Sequence, residues 1–196
     1  MGTRCPRSWP AVLVLAALAG PAHAETAALA GVVDLEGRPV AALLAGPAPT
    51  VLLFTRTDCP ISNRCAPELQ RLGRRFRGRG VSFRLVYPDP AETPAAIREH
   101  LRAFGLGADA LRDPQHTLVR LAGATVTPEA AVFVAGPSGP RLVYRGRIDD
   151  RAVDLGRSRT EPRTRDLADV LDALTAGRSP APRTTTAVGC FIPELR

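Results

Sequence analysis

The sequence predicts an α/β domain in which a central mixed β-sheet is flanked by helices. Residues 50–55 form a continuous apolar run that suits a strand buried on both faces. An amphipathic helix at residues 60–76 and a second strand at residues 81–87 follow it, which predicts a parallel β-α-β unit. Residues 130–135 and 141–147 flank a glycine- and proline-rich turn and predict an antiparallel hairpin.

Three more helices complete the predicted domain. Apolar residues recur at helical spacing in residues 92–104 and 165–176, and the second of these helices can cover the sheet. Residues 114–121 are predicted to form a short helix. His100 and His116 fall in these segments, and we predict that both are surface residues rather than metal ligands.

The N-terminal residues have the features of a secretory signal. Residues 1–24 combine a positive start, a short apolar run and an Ala-x-Ala cleavage pattern. That run is about half the roughly 20 residues that span a bilayer, so we expect no stable membrane insertion after cleavage. The sequence therefore predicts an exported protein, periplasmic or secreted. Its mature domain is predicted at residues 25–177, and a proline-rich tail at residues 178–196 begins with a linker at residues 178–186.

Composition limits the partners to be expected. The formal net charge is +7, and every basic side chain apart from histidine is arginine. Arginine patches can bind nucleic acid. Here the arginines are dispersed and aromatic residues make up only 5% of the chain, so no nucleic-acid partner is expected. The charged run at residues 145–151 is predicted to be a salt-bridged surface, with an anion site as the alternative.

Cysteine placement singles out Cys59 for chemistry. An exported chain would keep Cys59, Cys65 and Cys190, which permit one disulfide and leave one thiol over. Cys59 lies where a buried strand meets a helix beginning at Pro60, and helix N-terminal N–H groups favour a thiolate. A thiolate is the nucleophile of disulfide exchange. The neighbouring carboxylate of Asp58 opposes the formation of a thiolate. The alternative interpretation is that Cys59 is a structural cysteine.

The segment around Cys59 resembles the active site of the thioredoxin superfamily. The stretch VLLFTRTDCPISNRCAPEL has a cysteine at the strand-to-helix junction and, at Pro67, the superfamily's kinking proline. Thr127-Pro128, directly before a predicted strand, resembles the superfamily's cis-proline, whose loop faces the reactive sulfur and pairs with substrate backbone. The resemblance covers roughly residues 45–176 and implies a thioredoxin-like fold.

Within that superfamily the chain is most similar to the peroxiredoxin-like redoxin group, the alkyl hydroperoxide reductase/thiol-specific antioxidant type. The similarity rests on DCPISNR-x-APE, on YRGRIDDR at residues 144–151 and on Gly-Cys-x-Ile at residues 189–192. Ser62 replaces the second cysteine of Cys-x-x-Cys, so a mixed disulfide at Cys59 cannot be resolved locally. Peroxiredoxins carry their peroxide-reducing cysteine at the position of Ser62, which counts against ordinary peroxidase chemistry.

Two cysteines are candidates to resolve Cys59. In a continuous helix Cys65 lies about 9 Å farther along the axis, beyond the roughly 7 Å that a disulfide permits between Cα atoms. We predict that Cys65 is a small buried apolar residue. Cys190 is the better candidate, because an extended tail reaches up to about 40 Å. The alternatives for Cys190 are a free thiol or a link between two chains.

The sequence thus predicts an exported thiol–disulfide oxidoreductase in which Cys59 attacks and Cys190 resolves. Its expected partners are a protein or small-molecule disulfide or thiol and an electron donor, with no cofactor or metal. The alternatives are a peroxiredoxin-like thiol peroxidase, a copper-handling module, since thiolates select copper(I), and a redox-inactive binding domain. The supporting site residues are Pro60, Ser62, Thr127 and Pro128.

Overall fold

The computed structural model describes residues 29–195, so the predicted signal peptide lies outside the described residues. The strands are β1 (Thr50–Phe54), β2 (Ser82–Tyr87), β3 (Asp109–Arg112), β4 (Val126–Thr127), β5 (Glu129–Gly136), β6 (Gly139–Gly146), β7 (Ala152–Asp154), β8 (Arg157–Ser158), β9 (Arg183–Thr184) and β10 (Cys190–Phe191). The helices are α1 (Pro60–Arg64), α2 (Ala66–Phe76), α3 (Pro94–Ala103), α4 (Thr117–Ala122) and α5 (Asp166–Thr175). No helix in this part of the chain is long and apolar enough to cross a membrane.

One mixed sheet forms the centre of the domain, with the strand order β3-β2-β1-β5-β6-β9. Strand β1 pairs in parallel with β2 and antiparallel with β5. Strands β5 and β6 form an antiparallel hairpin. The predicted β-α-β unit, the hairpin and the thioredoxin-like α/β fold are therefore confirmed. Two small sheets, β4 with β10 and β7 with β8, lie outside this central one.

Strand β1 is buried on both faces, as its apolar run predicts. Side chains alternate along a strand, so Val51 and Leu53 pack into one apolar cluster and Leu52 and Phe54 into another. The first cluster includes residues of α2, α3 and α5, and the second includes residues of α4. Helices therefore cover both faces of the sheet, and the C-terminal end of β1 leads directly to Cys59.

The helix after Cys59 is interrupted, which differs from the continuous helix predicted for residues 60–76. Helix α1 ends at Arg64, and α2 begins at Ala66 after Cys65. Pro67 supplies the physical reason, because it has no N–H to donate to the carbonyl four residues earlier. The break gives Cys65 a position at the junction of two helices rather than inside one.

The tail is more ordered than the predicted linker at residues 178–186. Strand β9 pairs in parallel with β6 and becomes the edge of the central sheet. Beyond it, the backbone N–H of Thr185 donates to the carbonyl of Arg145 at 2.9 Å, and Tyr144 Oη lies 2.7 Å from Thr185 Oγ1. Arg183 forms an ion pair with the buried carboxylate of Asp166. These contacts fix the tail upstream of Cys190.

The prediction that both histidines lie on the surface is wrong. His100 is buried, with Nδ1 2.8 Å from Tyr87 Oη and Nε2 2.7 Å from Asn63 Oδ1. Asn63 Nδ2 in turn donates to the carbonyl of Thr57 at 3.1 Å. His116 is also buried, with Nε2 3.0 Å from the carbonyl oxygen of Pro88. Both ring nitrogens of His100 and Nε2 of His116 are hydrogen-bonded inside the fold, so neither imidazole sits in solvent.

The charged run at residues 145–151 is also less exposed than expected. The carboxylates of Asp149 and Asp150 are buried. Asp150 Oδ1 accepts hydrogen bonds from the backbone N–H groups of Arg163 and Thr164 at 2.6 and 2.9 Å. The segment therefore holds the loop before α5 in place. Its arginines form the predicted ion pairs, Arg145 with Glu129, Arg147 with Asp166 and Arg151 with Asp149.

Candidate active site

The structure brings Cys59 and Cys190 together. Their Sγ atoms lie 2.7 Å apart although the residues are far apart in sequence. Cys59 is buried, with 1% of its surface exposed, whereas Cys190 is partly exposed. A disulfide has an S–S bond of about 2.05 Å, so little movement separates these two thiols from a bond.

Cys59 occupies the junction that the sequence predicts for it. It is the N-cap residue of α1, in extended backbone conformation, and Pro60 is the first residue of that helix. The carbonyl of Cys59 accepts from the N–H of Asn63 at 3.0 Å, which closes the first helical turn. This geometry leaves the N–H groups of the first turn close to the sulfur.

The surroundings of Cys59 favour its thiolate. Burial alone raises the pKa of this thiol, but hydrogen bonds from the Cys190 thiol and from the side chain and backbone N–H of Ser62 lower it to about 7. Cys59 is therefore a stronger acid than an ordinary cysteine, which favours its thiolate at neutral pH. As a thiol, Cys59 instead donates to the carbonyl oxygen of Thr127 at 3.1 Å.

Cys190 has the opposite character. Burial raises the pKa of Cys190, and its hydrogen bond and proximity to Cys59 bring it to about 11. Arg56 lowers this pKa and Asp58 raises it, and these two side chains form an ion pair at 2.8 Å. The pair is therefore asymmetric, with an ionisable Cys59 beside a Cys190 that holds its proton.

The predicted cis-proline is confirmed, because the Thr127–Pro128 peptide bond is cis. Strand β4 ends at this bond, and β10 pairs with it antiparallel so that Cys190 lies opposite Thr127. Gly189 packs against the same loop, where a β-carbon would overlap the carbonyl group of Thr127. Sequence reasoning missed the role of Gly189, although its position directly before Cys190 was visible.

Two buried hydroxyl groups lie beside the sulfur, those of Ser62 and Thr127. Within the described chain, Ser62 Oγ and Thr127 Oγ1 have no hydrogen-bond partner other than the Cys59 sulfur. Both side chains lower the pKa of Cys59. A hydroxyl rotates freely and can donate to a sulfur that becomes charged, so these groups suit an anionic sulfur better than a neutral one.

Cys65 is not part of this pair. It is half-buried against the core and lines a cavity of about 20 Å³ with Pro128 and Val188. Burial raises the pKa of Cys65 to about 12, and the nearby Asp149 carboxylate acts in the same direction. This agrees with the predicted role of a small apolar side chain, since Cys65 stays a neutral thiol.

Nothing in residues 29–195 gathers three or more histidine, cysteine or carboxylate side chains into a group that could hold a metal ion. The two described histidines are occupied by hydrogen bonds to Tyr87, Asn63 and Pro88.

Residues behind the site, which the sequence did not single out, position its loop. Glu92 Oε1 accepts from the backbone N–H of Thr57 at 2.6 Å, and Asn63 holds the Thr57 carbonyl. Both backbone polar groups of Thr57, two residues before Cys59, are thus fixed by the fold. Periodicity could not reveal these contacts, because they are specific side-chain-to-backbone hydrogen bonds, and the one from Thr57 to Glu92 spans 35 residues of sequence.

Comparison with known families shows which protein family the chain belongs to. Residues 24–140 match the AhpC/TSA family, which is more than half of the chain. The chain belongs to the AhpC/TSA family. Membership confirms the predicted resemblance to the redoxin group of the thioredoxin superfamily and supports a thioredoxin-like redox function. Comparison with curated proteins gave no match.

Solved structures share the fold of this AhpC/TSA-family chain at low identity. An uncharacterised conserved protein from Geobacillus kaustophilus superposes with a TM-score of 0.70 and 24% identity, covering 84% of this chain and 88% of that one. A hypothetical protein from Sinorhizobium meliloti gives 0.66 and 22%, covering 81% and 87%. A secreted disulfide oxidoreductase from Mycobacterium tuberculosis gives 0.50 and 18%, covering 74% and 96%.

The asymmetry of the two thiols in this AhpC/TSA-family site predicts a pH profile. The rate of Cys59 alkylation by iodoacetamide is expected to rise with pH through a midpoint of about 7 and then level off, because the thiolate reacts. Cys190→Ala removes a hydrogen-bond donor to the Cys59 sulfur and should raise the midpoint of this profile. Cys190→Ser keeps a hydrogen-bond donor, so its midpoint should stay nearer the original value. Peptide mapping by mass spectrometry measures each site. Equal midpoints in all three proteins would contradict the assigned hydrogen bond.

Proposed function

We propose that this protein is an exported thiol–disulfide oxidoreductase in which Cys59 is the attacking thiolate and Cys190 the resolving cysteine. The observation that supports the proposal is the pairing of the two sulfurs at 2.7 Å with unlike acidities. Cys59 has the ionised fraction that a nucleophile needs, and Cys190 lies within reach of any bond that Cys59 makes.

The proposed reaction has two steps. The Cys59 thiolate attacks one sulfur of a substrate disulfide, whose S–S bond breaks and whose other sulfur leaves as a thiolate. Cys190 loses its proton and attacks Cys59, which releases the reduced substrate and forms the Cys59–Cys190 disulfide. Two electrons pass from the cysteine pair to the substrate, and a thiol electron donor returns them.

The supporting residues hold these sulfurs in place. Pro60 starts the helix whose N–H groups face Cys59, and Ser62 donates to the thiolate. Thr127 and Pro128 form the loop against which β10 lies. We propose that residues 1–24 direct the chain to an oxidising compartment, periplasmic or extracellular, where a protein or small-molecule disulfide is the substrate.

Disulfide mapping of the oxidised mature protein tests this assignment. We expect a Cys59–Cys190 bridge and one free thiol, at Cys65. The matched variant Cys65→Ser should form the same bridge and have no free thiol. A Cys59–Cys65 bridge, or three free thiols after oxidation with oxidised glutathione, would rule out the proposed pair.

A thiol peroxidase is the second candidate, and the burial of Cys59 favours it. With 1% of Cys59 exposed, a small oxidant reaches the sulfur more easily than a protein does. The thiolate would attack one peroxide oxygen and release hydroxide, leaving a sulfenic acid that condenses with Cys190 to a disulfide and water. Consumption of hydrogen peroxide with dithiothreitol as reductant, lost in Cys59→Ser, would support it. Consumption no faster than with free cysteine would exclude it.

A further inference from the structure

The chain's own tail occupies the backbone edge beside Cys59. Cys190 pairs with Thr127 and Phe191 with Val126, in antiparallel register. The N–H of Ile192 donates to the carbonyl of Thr125 at 3.0 Å. The hydrogen-bonding edge of β4 is therefore filled by a strand of the same molecule.

The fit between tail and loop is tight. A β-carbon on Gly189 would overlap the Thr127 carbonyl and come within 3.2 Å of the nitrogen of Pro128. Cys59, beneath this contact, is almost completely buried. A second polypeptide cannot pair with this edge of β4 while the tail stays in place.

The tail nevertheless has few contacts at this point. Strand β10 has only two residues, and the side chain of Phe191 is 78% exposed. Ile192 packs only partly against the second apolar cluster. A segment held by so few backbone hydrogen bonds opens more readily than the central sheet does.

We propose that the docked tail makes Cys59 discriminate between classes of substrate, and this rests on the proposed function. A small disulfide reaches Cys59 after a local shift of the Cys190 side chain. A polypeptide disulfide that binds as an added strand needs the edge of β4, so it reacts only after β10 has left. In both cases the Cys59 thiolate displaces one substrate sulfur as a thiolate, with formation of one S–S bond for each one broken.

The test measures the two substrate classes side by side. The background is the reduced mature chain with Cys190→Ser, which keeps a side chain in the docked tail but stops the reaction at the mixed disulfide. The probes are oxidised glutathione and a disulfide-linked dimer of a short unstructured peptide with one central cysteine. Mass spectrometry follows the mixed disulfide on Cys59.

Two variants release the tail in different ways. Gly189→Ala introduces the overlapping β-carbon, and Ile192→Pro removes the N–H that binds Thr125. Each should raise the ratio of peptide rate to glutathione rate by about tenfold, because the open state is then populated. Gly46→Ala is the matched control, since a β-carbon there meets nothing within 4 Å and the ratio should not change.

The outcomes distinguish a failure of the tail's proposed role from a failure of the proposed oxidoreductase function. An unchanged or lower ratio in both tail variants, with Cys59 still reacting with glutathione, would overturn the inference and leave the proposed function standing. If Cys59 does not react with oxidised glutathione in the Cys190→Ser background, both fail. A raised ratio in either variant but not in the control supports the inference.

Discussion

Cys59→Ser is expected to slow the reaction of the reduced protein with the aromatic disulfide DTNB by about tenfold at pH 7. Cys190 is then the remaining thiol of the pair. This variant loses the part of the raised Cys190 pKa that comes from Cys59, but burial still holds that pKa above its ordinary value of 9.0, so little thiolate is present at pH 7. A more basic thiolate is a stronger nucleophile, which recovers part but not all of the loss. The rate of thionitrobenzoate release in stopped flow measures the effect.

The companion variants divide the two steps. Cys190→Ser should release one equivalent of thionitrobenzoate rapidly and keep the other as a mixed disulfide on Cys59. Cys65→Ser should behave as the unchanged protein, because burial keeps the Cys65 thiol neutral. A Cys59→Ser protein that reacts at the unchanged rate would show that another thiol is the nucleophile.

Gly146→Ala is expected to lower the free energy of unfolding by about 3 kcal/mol. Gly146 has a φ of +143°, which alanine adopts only with strain, and a β-carbon there would overlap Thr185. The overlap forces the tail away from the end of β6. The hydrogen bonds that Thr185 makes with Arg145 and Tyr144 would then be lost.

The control for this variant is Gly139→Ala. Gly139 also has a positive φ, +118°, but its β-carbon would meet nothing within 4 Å. Gly139→Ala should lower the free energy of unfolding only by the backbone strain, about 1–2 kcal/mol. Urea unfolding followed by far-ultraviolet circular dichroism measures both, since the only tryptophan, Trp9, lies in the predicted signal peptide. Equal losses in the two variants would show that the Thr185 contact contributes nothing to stability.

The central architecture follows from local patterns in the sequence. Strand β1 is a continuous apolar run, and the hairpin of β5 and β6 flanks an evident turn, so periodicity and turn chemistry were enough to predict both. Strand β3 was missed because Asp109–Arg112 has charged residues at both ends. Its place beside β2 comes from backbone pairing, which leaves no local pattern.

Features of the site that depend on a single stretch of sequence could be predicted. Features that depend on contacts between several stretches could not. The position of Cys59 at the start of a helix and the cis bond before Pro128 follow from local motifs. The burial of His100 does not, because its partners Tyr87 and Asn63 come from a strand and another helix. The break at Cys65 could have been inferred from Pro67, since proline interrupts helical hydrogen bonding.

The tail and the Cys59 sulfur respond to acid in different pH ranges. The tail is held by an ion pair between Arg183 and Asp166. Burial raises the pKa of Asp166, but hydrogen bonds from Arg147 and Thr164 and the charges of both arginines bring it below its ordinary value. The ionised Asp166 therefore stabilises the fold fully above pH 3.8, the ordinary pKa of aspartate. This stabilisation is lost only as the pH falls through the lower pKa of Asp166 in the folded protein. Cys59 takes up its proton near pH 7. Mild acidification is thus expected to protonate Cys59 while the ion pair that holds the tail at Arg183 stays intact.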